Sequence, residues 1–252
     1  MNTIPEITVF GDSHSSFFFP APFFAGRCGY GFPLPYRVTG KAIHAASLAG
    51  FRPGVSTLKV KETIAEALPS ARHMVLAFGQ VDLELGYYYR LAVKKENTNP
   101  ADYVDWLLGI YRSFLGALDT GHCRMALKGV NLTALSPKLF AVRYVSRIVM
   151  EGRKIAQATA DEMILPHILP EIEQNRMHRA FNRKLADLAR DLGHGYFDLN
   201  DQISDGPIQA LAAAQPRLGD HFKTGFFDHH LADTVVVRRM HYEALGKVFG
   251  LL

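Results

Sequence analysis

Short apolar runs alternate with longer amphipathic segments along the whole chain. The apolar runs are typical of buried strands, and the amphipathic segments are typical of helices. The predicted strands are Ile7–Phe10, His73–Phe78, Met125–Leu135 and Tyr196–Leu199, and the predicted helices are Thr57–Leu68, Pro100–Leu118, Pro170–Leu192 and Asp233–Phe249. This alternation predicts an α/β fold with a mostly parallel sheet, because parallel strands are joined by helical crossovers.

No linker, composition shift or internal repeat divides the sequence, so we expect a single domain over residues 1–252. The chain is 48% apolar and 21% charged, which suits a globular protein with a sizeable core. Residues 17–36 differ from the rest because Pro and Gly interrupt a series of aromatic residues. This composition predicts a long irregular loop or a broken helix.

Charge and hydropathy patterns exclude several classes of protein. The formal net charge is +4 and the basic residues are spread along the chain, which argues against nucleic-acid binding. No apolar run approaches the ~18 residues of a membrane span, and no signal peptide precedes the first strand. Cys28 and Cys123 lack the spacing of a metal site and are expected to be free thiols. The sequence therefore predicts a soluble, cytoplasmic protein without a cofactor, and it leaves the oligomeric state open.

The stretch "VFGDSHS" places Ser13 directly after the first predicted strand. Ligands of parallel sheets bind at the carboxyl ends of the strands. A serine at the start of a following helix has two ordinary roles. It caps the helix, or it acts as a nucleophile whose oxyanion meets the unpaired N–H groups there.

The stretch "FFDHHLAD" places Asp228, His229 and His230 just before the last predicted helix. A serine nucleophile needs a base, usually a histidine oriented by a carboxylate. These residues can meet Ser13 at one edge of the sheet. A solvated turn is the alternative for this motif taken alone.

Three ordered blocks, "VFGDSHS", "LAFGQVDL" and "FFDHHL", resemble those of the SGNH/GDSL hydrolases. The resemblance covers nearly the whole chain, and the first block is its best match. It implies a three-layer α/β/α sandwich with a flavodoxin-like sheet. It also implies that Ser13 is the nucleophile, that His230 is the base and that Asp228 is its partner.

The resemblance further implies an oxyanion hole made by the N–H of Ser13, a second-block glycine and the third block. Gly40 is the best match to the second-block glycine, with Gly50 as an alternative, and Gly79 belongs to the third block. The implied reaction is ester hydrolysis or acyl transfer through an acyl-enzyme. Some branches of the family act on polysaccharides, so an O-acetyl group on a carbohydrate is the expected substrate.

The third block departs from the family pattern at Val81, where the family has an asparagine. Valine cannot donate a hydrogen bond, and loss of one oxyanion donor costs about 2.7–4 kcal/mol of transition-state stabilisation. Gln80 could replace the donor, or backbone N–H groups could suffice. Asp82 keeps its family position and is expected to hold loops below the site.

The last block departs in spacing. Asp228 precedes His230 by two residues, whereas the family's usual gap is three. His229 is therefore an alternative base, and a backbone carbonyl is an alternative partner for the histidine.

A run of aromatic residues follows the third block. Tyr87, Tyr88 and Tyr89, together with the aromatic residues of 17–36, could stack on sugar rings, and Arg90 could bind a carboxylate of an acidic glycan. The alternatives are core packing for the tyrosines and a solvated surface charge for the arginine.

Two other interpretations of the sequence stay open beside the esterase. Asp12 and His14, with the late histidines, are typical of binuclear metallophosphoesterases. That family's bridging carboxylate and its later His motifs are missing from this sequence. The third interpretation is a degenerate fold that only binds a glycan or a protein.

Overall fold

The computed structural model describes residues 4–20, 33–54, 57–133, 135, 138–204 and 229–252. Its strands are β1 Glu6–Gly11, β2 Arg37–Ala42, β3 His73–Ala77, β4 Arg124–Lys128 and β5 Gly195–Phe197. They form one sheet in the order β2-β1-β3-β4-β5, and every neighbouring pair is parallel. This is the flavodoxin-like strand order, so the predicted α/β fold is confirmed.

Helices cover both faces of the sheet. They are α1 Val60–Ala67, α2 Pro100–Gly116, α3 Lys138–Val149, α4 Gln157–Ile164, α5 Glu171–Asp191, α6 Asn200–Ile203 and α7 Val235–Phe249. Side chains alternate between the faces along β3, as strand geometry requires. Met74 and Leu76 pack in the core that contains α2 and α5, whereas Val75 and Ala77 pack in the core that contains α7. The result is the predicted three-layer sandwich.

The sequence analysis missed β2, α3, α4 and α6, and it extended β4 too far. β2 was not predicted, because it is an edge strand with exposed polar positions and lacks a continuous apolar run. The third predicted strand ends at Lys128 instead of Leu135. Beyond it, side-chain amides replace the strand partners: Asn182, Asn200 and Asn175 accept the N–H groups of Val130, Leu132 and Thr133 at 2.7–2.9 Å.

Several expectations concern residues outside the described part. Cys28, residues 21–32 of the predicted irregular loop, and Asp228 all lie there. Within the described part, Cys123 is a buried free cysteine. None of the helices described has the length and apolar character to span a membrane.

Candidate active site

The candidate site lies at the carboxyl edge of the sheet, where β1 and β3 are neighbours. Three segments converge there: the short 3₁₀ helix Ser13–Phe18 after β1, residues 79–82 after β3, and His229–His230 before α7. From β1 the chain passes to β2, which is the neighbour of β1 on one side, and then to β3, which is its neighbour on the other side. Open α/β sheets bind ligands in the crevice at such a switch point.

Ser13 begins the 3₁₀ helix but does not cap it. Asp12 is the N-cap, and its Oδ1 accepts the N–H of His14 at 3.0 Å. Burial raises the pKa of Asp12 to about 6, against the opposing effect of this hydrogen bond. Because Asp12 does the capping, the Ser13 hydroxyl is available for another contact. It lies 2.8 Å from Nε2 of His230.

The two adjacent late histidines have different partners. His230 contacts Ser13, whereas Nδ1 of His229 pairs with the carboxylate of Glu84. His229 and Glu84 are both buried. The structure thus places His230, and not His229, on the serine. The pairing of Asp228 with His230 stays a prediction, because Asp228 lies outside the described residues.

Glu84 is a functional candidate that the sequence analysis missed. Burial alone would raise its pKa, but the charge and hydrogen bond of His229 outweigh burial and hold the pKa below its ordinary value. Its other oxygen accepts the side-chain N–H of Gln80 at 3.0 Å. The available signal was a single carboxylate between Leu83 and Leu85, in a segment apolar enough to be buried.

His14 lies between the two late histidines. Its ring stacks on His230 with centroids 4.1 Å apart, and its Nε2 lies 3.3 Å from Nε2 of His229. Burial, together with the neighbouring histidines, lowers the pKa of His14 well below its ordinary value, so the ring is neutral. Nδ1 of His229 pairs with Glu84, so the Nε2 atom of His229 is the ring nitrogen that faces His14.

A cavity of about 480 Å³ opens beside Ser13 and His230. Its wall is mostly aliphatic and aromatic, with Val81, Leu85, Tyr89, Trp106, Tyr144 and Ile148 among the lining residues. Arg90 also lines it, with its guanidinium 3.9 Å from the Trp106 ring centroid and paired with Glu96. A largely apolar cleft of this size with a few polar groups is the usual form of a small-molecule site.

The two glycines predicted for the oxyanion hole lie where the backbone conformation and its neighbours leave no room for a side chain. Gly40 lies inside β2 opposite Val9 with φ +93°, and a Cβ there would lie 2.1 Å from Val9 O. Gly79 has φ +122°, and a Cβ there would lie 2.8 Å from Cζ of Phe181. Neither glycine is among the described residues that line the cavity. The cavity residue after β2 with a left-handed φ is Ala45, at +60°.

Val81 lines the cavity, as its position in the third block predicts. Gln80 does not replace the missing donor, because its amide is buried and already bonded. Its Nε2 donates to Glu84 and to Asn131 O, and its Oε1 accepts the Asn131 N–H at 2.7 Å.

Asp82 holds a loop, as expected. Its carboxylate accepts the N–H groups of Leu48 and Ala49 at 2.7 and 3.0 Å. Burial raises the pKa of Asp82 to about 7 despite these two bonds.

Tyr87 and Tyr88 do not reach the cavity, which corrects their predicted role in substrate binding. Both are buried in the core, and the Tyr88 hydroxyl donates to Gln174. On a helix, neighbouring residues face different directions. Tyr89 and Arg90 therefore line the cavity while the preceding tyrosines pack inward.

The site predicted for a binuclear phosphoesterase is not assembled around Asp12. Within the part of the chain that the structure describes, the cluster with metal-ligand spacing contains His14, His229 and His230 but not Asp12. Asp12 instead faces the buried ammonium of Lys128, which lines the same small cavity.

Comparison with solved structures identifies the fold. No protein-family model matches the sequence, and the curated proteins gave no match. An extracellular lipase from Streptomyces rimosus superposes with a TM-score of 0.51 at 11% identity, covering 97% of this chain and 99% of the lipase. A catalytic mutant of an acetylxylan esterase from Geobacillus stearothermophilus gives 0.51 at 11% identity, covering 99% and 96%. The chain has the SGNH-hydrolase fold.

A further neighbour with this fold is a gut microbial diltiazem-metabolizing enzyme, with a TM-score of 0.51 at 13% identity. The superposition covers 98% of this chain and 48% of that enzyme. The SGNH-hydrolase fold confirms the resemblance drawn from the three sequence blocks. It also explains their order, because each block follows a strand or precedes the last helix at one edge of the sheet.

Proposed function

We propose that the chain is a serine ester hydrolase in which Ser13 is the nucleophile and His230 is the general base. The observation that carries the proposal is the 2.8 Å contact between Ser13 Oγ and His230 Nε2 beside an apolar cavity. This distance is within the reach that a general base needs. The fold shared with a lipase and an acetylxylan esterase supports the same chemistry.

The reaction proceeds in two halves. His230 Nε2 takes the hydroxyl proton while Ser13 Oγ attacks the carbonyl carbon of the ester. The bond from that carbon to the alcohol oxygen then breaks, and His230 returns the proton to the departing alcohol. A water molecule, deprotonated by His230, then attacks the acyl carbon. The bond from that carbon to Ser13 Oγ breaks, His230 returns the proton to Ser13 Oγ, and the acid leaves.

Backbone N–H groups stabilise the oxyanion in this proposal. The N–H of Ser13 belongs to the first turn of the 3₁₀ helix, where N–H groups lack helical partners. Ala45, on the loop after β2, supplies the second N–H in place of Gly40. Its left-handed φ at the cavity wall is a conformation that non-glycine residues adopt at a cost of about 1–3 kcal/mol, often at functional sites.

The proposed substrate is a small ester, an O-acetyl group on a carbohydrate. Tyr89 and Tyr144 line the cavity, and their rings provide apolar surfaces for the faces of a sugar. A structural neighbour that is an acetylxylan esterase supports this substrate class. If a sugar hydroxyl replaces water in the second half-reaction, the same site performs acyl transfer.

The test combines labelling and kinetics. We expect a fluorophosphonate probe to label the wild type and not Ser13→Ala. After mixing with an acetyl donor, mass spectrometry should show one added acetyl group, on the peptide that contains Ser13. His230→Ala should abolish turnover of p-nitrophenyl acetate, whereas the adjacent variant His229→Gln should retain most of it. Failure of the probe and of all acetylated substrates, with glycan binding kept by Ser13→Ala, would replace the enzyme by a binding module.

A further inference from the structure

The floor of the site holds more histidines than the proposed hydrolysis uses. One ring nitrogen each from His14, His229 and His230 lies within 4.8 Å of the other two. The hydrolytic mechanism gives a role to His230 alone. The other two histidines are buried, and their Nε2 atoms face each other at 3.3 Å.

This separation suits two ligands of one zinc ion. Zn²⁺ binds His nitrogens at about 2.0–2.1 Å in tetrahedral geometry, which sets ligand nitrogens about 3.3 Å apart. His14 and His229 therefore hold their Nε2 atoms at the edge length of a zinc tetrahedron. His230, stacked on His14, is the third ligand on the side of the cavity, through which an ion can enter.

The surroundings of His229 are those of a metal ligand. Histidines that bind metals donate their other ring N–H to a carboxylate or carbonyl, which fixes the tautomer. Nδ1 of His229 has this partner in Glu84, and Gln80 holds the second oxygen of that carboxylate. Glu84 is fully buried, so its charge acts on the cluster with little screening.

Two other buried charges lie near the cluster. The carboxyl group of Asp12 favours a cation, and the ammonium of Lys128 opposes one. The ammonium of Lys128 donates hydrogen bonds to Gly129 O and the side chain of Asn131, at 2.9 and 3.1 Å, and it lines a small cavity together with Asp12 and His14.

We propose that His14, His229 and His230 form a Zn²⁺ site, and that the bound ion withdraws His230 from Ser13 and so inhibits hydrolysis. A water molecule or Ser13 Oγ completes the tetrahedron. The histidine cannot bind the ion and accept the serine proton at the same nitrogen. The inhibitory part rests on the proposed esterase function, whereas the metal site stands without it.

Metal binding is tested directly on the metal-free protein. Isothermal titration should show one Zn²⁺ per chain, and Co²⁺ should give the intense visible absorption of a tetrahedral site. His14→Gln and His230→Gln should each lose this binding, and Glu84→Gln should weaken it about 10–100-fold. His44→Gln is the matched control, because His44 lines the same cavity but lies outside the cluster and should leave binding unchanged.

Inhibition is measured separately. Stoichiometric Zn²⁺ should suppress p-nitrophenyl acetate turnover, EDTA should restore it, and Ser13→Ala should still bind the ion. Circular dichroism shows whether each variant is folded, and His230, on the cavity wall, provides a ligand variant if His14→Gln does not fold. The metal site is overturned by absent stoichiometric binding or by binding that both ligand variants retain. Bound Zn²⁺ that leaves the rate unchanged or raises it overturns the inhibition alone.

Discussion

At the scale of a single residue, Val81 is the position where the site departs most clearly from the pattern of the SGNH/GDSL hydrolases that the sequence resembles. It lines the cavity beside Ser13 and cannot donate a hydrogen bond. We predict that Val81→Asn raises kcat for p-nitrophenyl acetate by about tenfold or more, since one oxyanion donor is worth about 10²–10³ in rate. Steady-state kinetics with purified variants measures the effect.

The control is Val81→Leu, which has nearly the shape of asparagine without its N–H groups. We expect its kcat to equal or fall below that of the wild type. Equal gains in both variants would mean that the cavity shape, and not a donor, limits the rate.

At the scale of an element, the helical segment over 80–93 organises both sides of the site. It contains two π-helical stretches, Asp82–Gly86 and Tyr89–Val93, and such stretches occur frequently at functional sites. Glu84 points to His229, while Asp82 binds the N–H groups at the start of the 3₁₀ helix Leu48–Phe51. One segment thereby positions the histidine cluster and the opposite cavity wall.

We predict that Asp82→Ala lowers the free energy of unfolding by about 2–3 kcal/mol, because two backbone N–H groups lose a charged acceptor. It should also raise KM, since Ala49 and Arg52 of the loop line the cavity. Urea denaturation and steady-state kinetics measure these changes. Asp105→Ala is the control: Asp105 is exposed and pairs with Lys184 at the surface, so its loss should change stability by less than about 0.5 kcal/mol.

The sequence predicted those parts of the site that depend on local patterns. The sequence predicted that Ser13 and His230 meet, because each stands next to a predicted strand or helix in a recognisable block, and their catalytic roles stay predictions. Glu84 could not be found in this way, because its role depends on His229, 145 residues further along the chain. Gly40 and Tyr87 were assigned to the site from their position along the chain, but a strand register and a helix face direct them elsewhere.

At the scale of the whole molecule, the last helix packs on the segment that follows the first strand through a buried histidine. His241 of α7 packs against Phe17 and Phe18 of the 3₁₀ helix, with ring centroids 5.3 and 4.8 Å apart. Its Nδ1–H donates to Val237 O at 2.8 Å. Burial, assisted by the charge of Lys128, lowers the pKa of His241 to about 3, so the folded protein keeps this ring neutral.

This neutral histidine makes stability depend on pH in one direction. Its ordinary pKa is 6.5, so between about pH 6.5 and pH 3 the unfolded chain binds a proton at this ring and the folded chain does not. Stability from this group is complete above about pH 6.5 and declines as the pH falls toward 3. We predict that between pH 7.5 and pH 4.5 the wild type loses about 3 kcal/mol more unfolding free energy than His241→Phe, because each pH unit below about 6.5 costs about 1.4 kcal/mol. Urea denaturation across this pH range measures both proteins, and His44→Gln, which replaces an exposed histidine, should run parallel to the wild type. Parallel curves for the wild type and His241→Phe would show that α7 releases His241 to solvent in acid before the fold is lost.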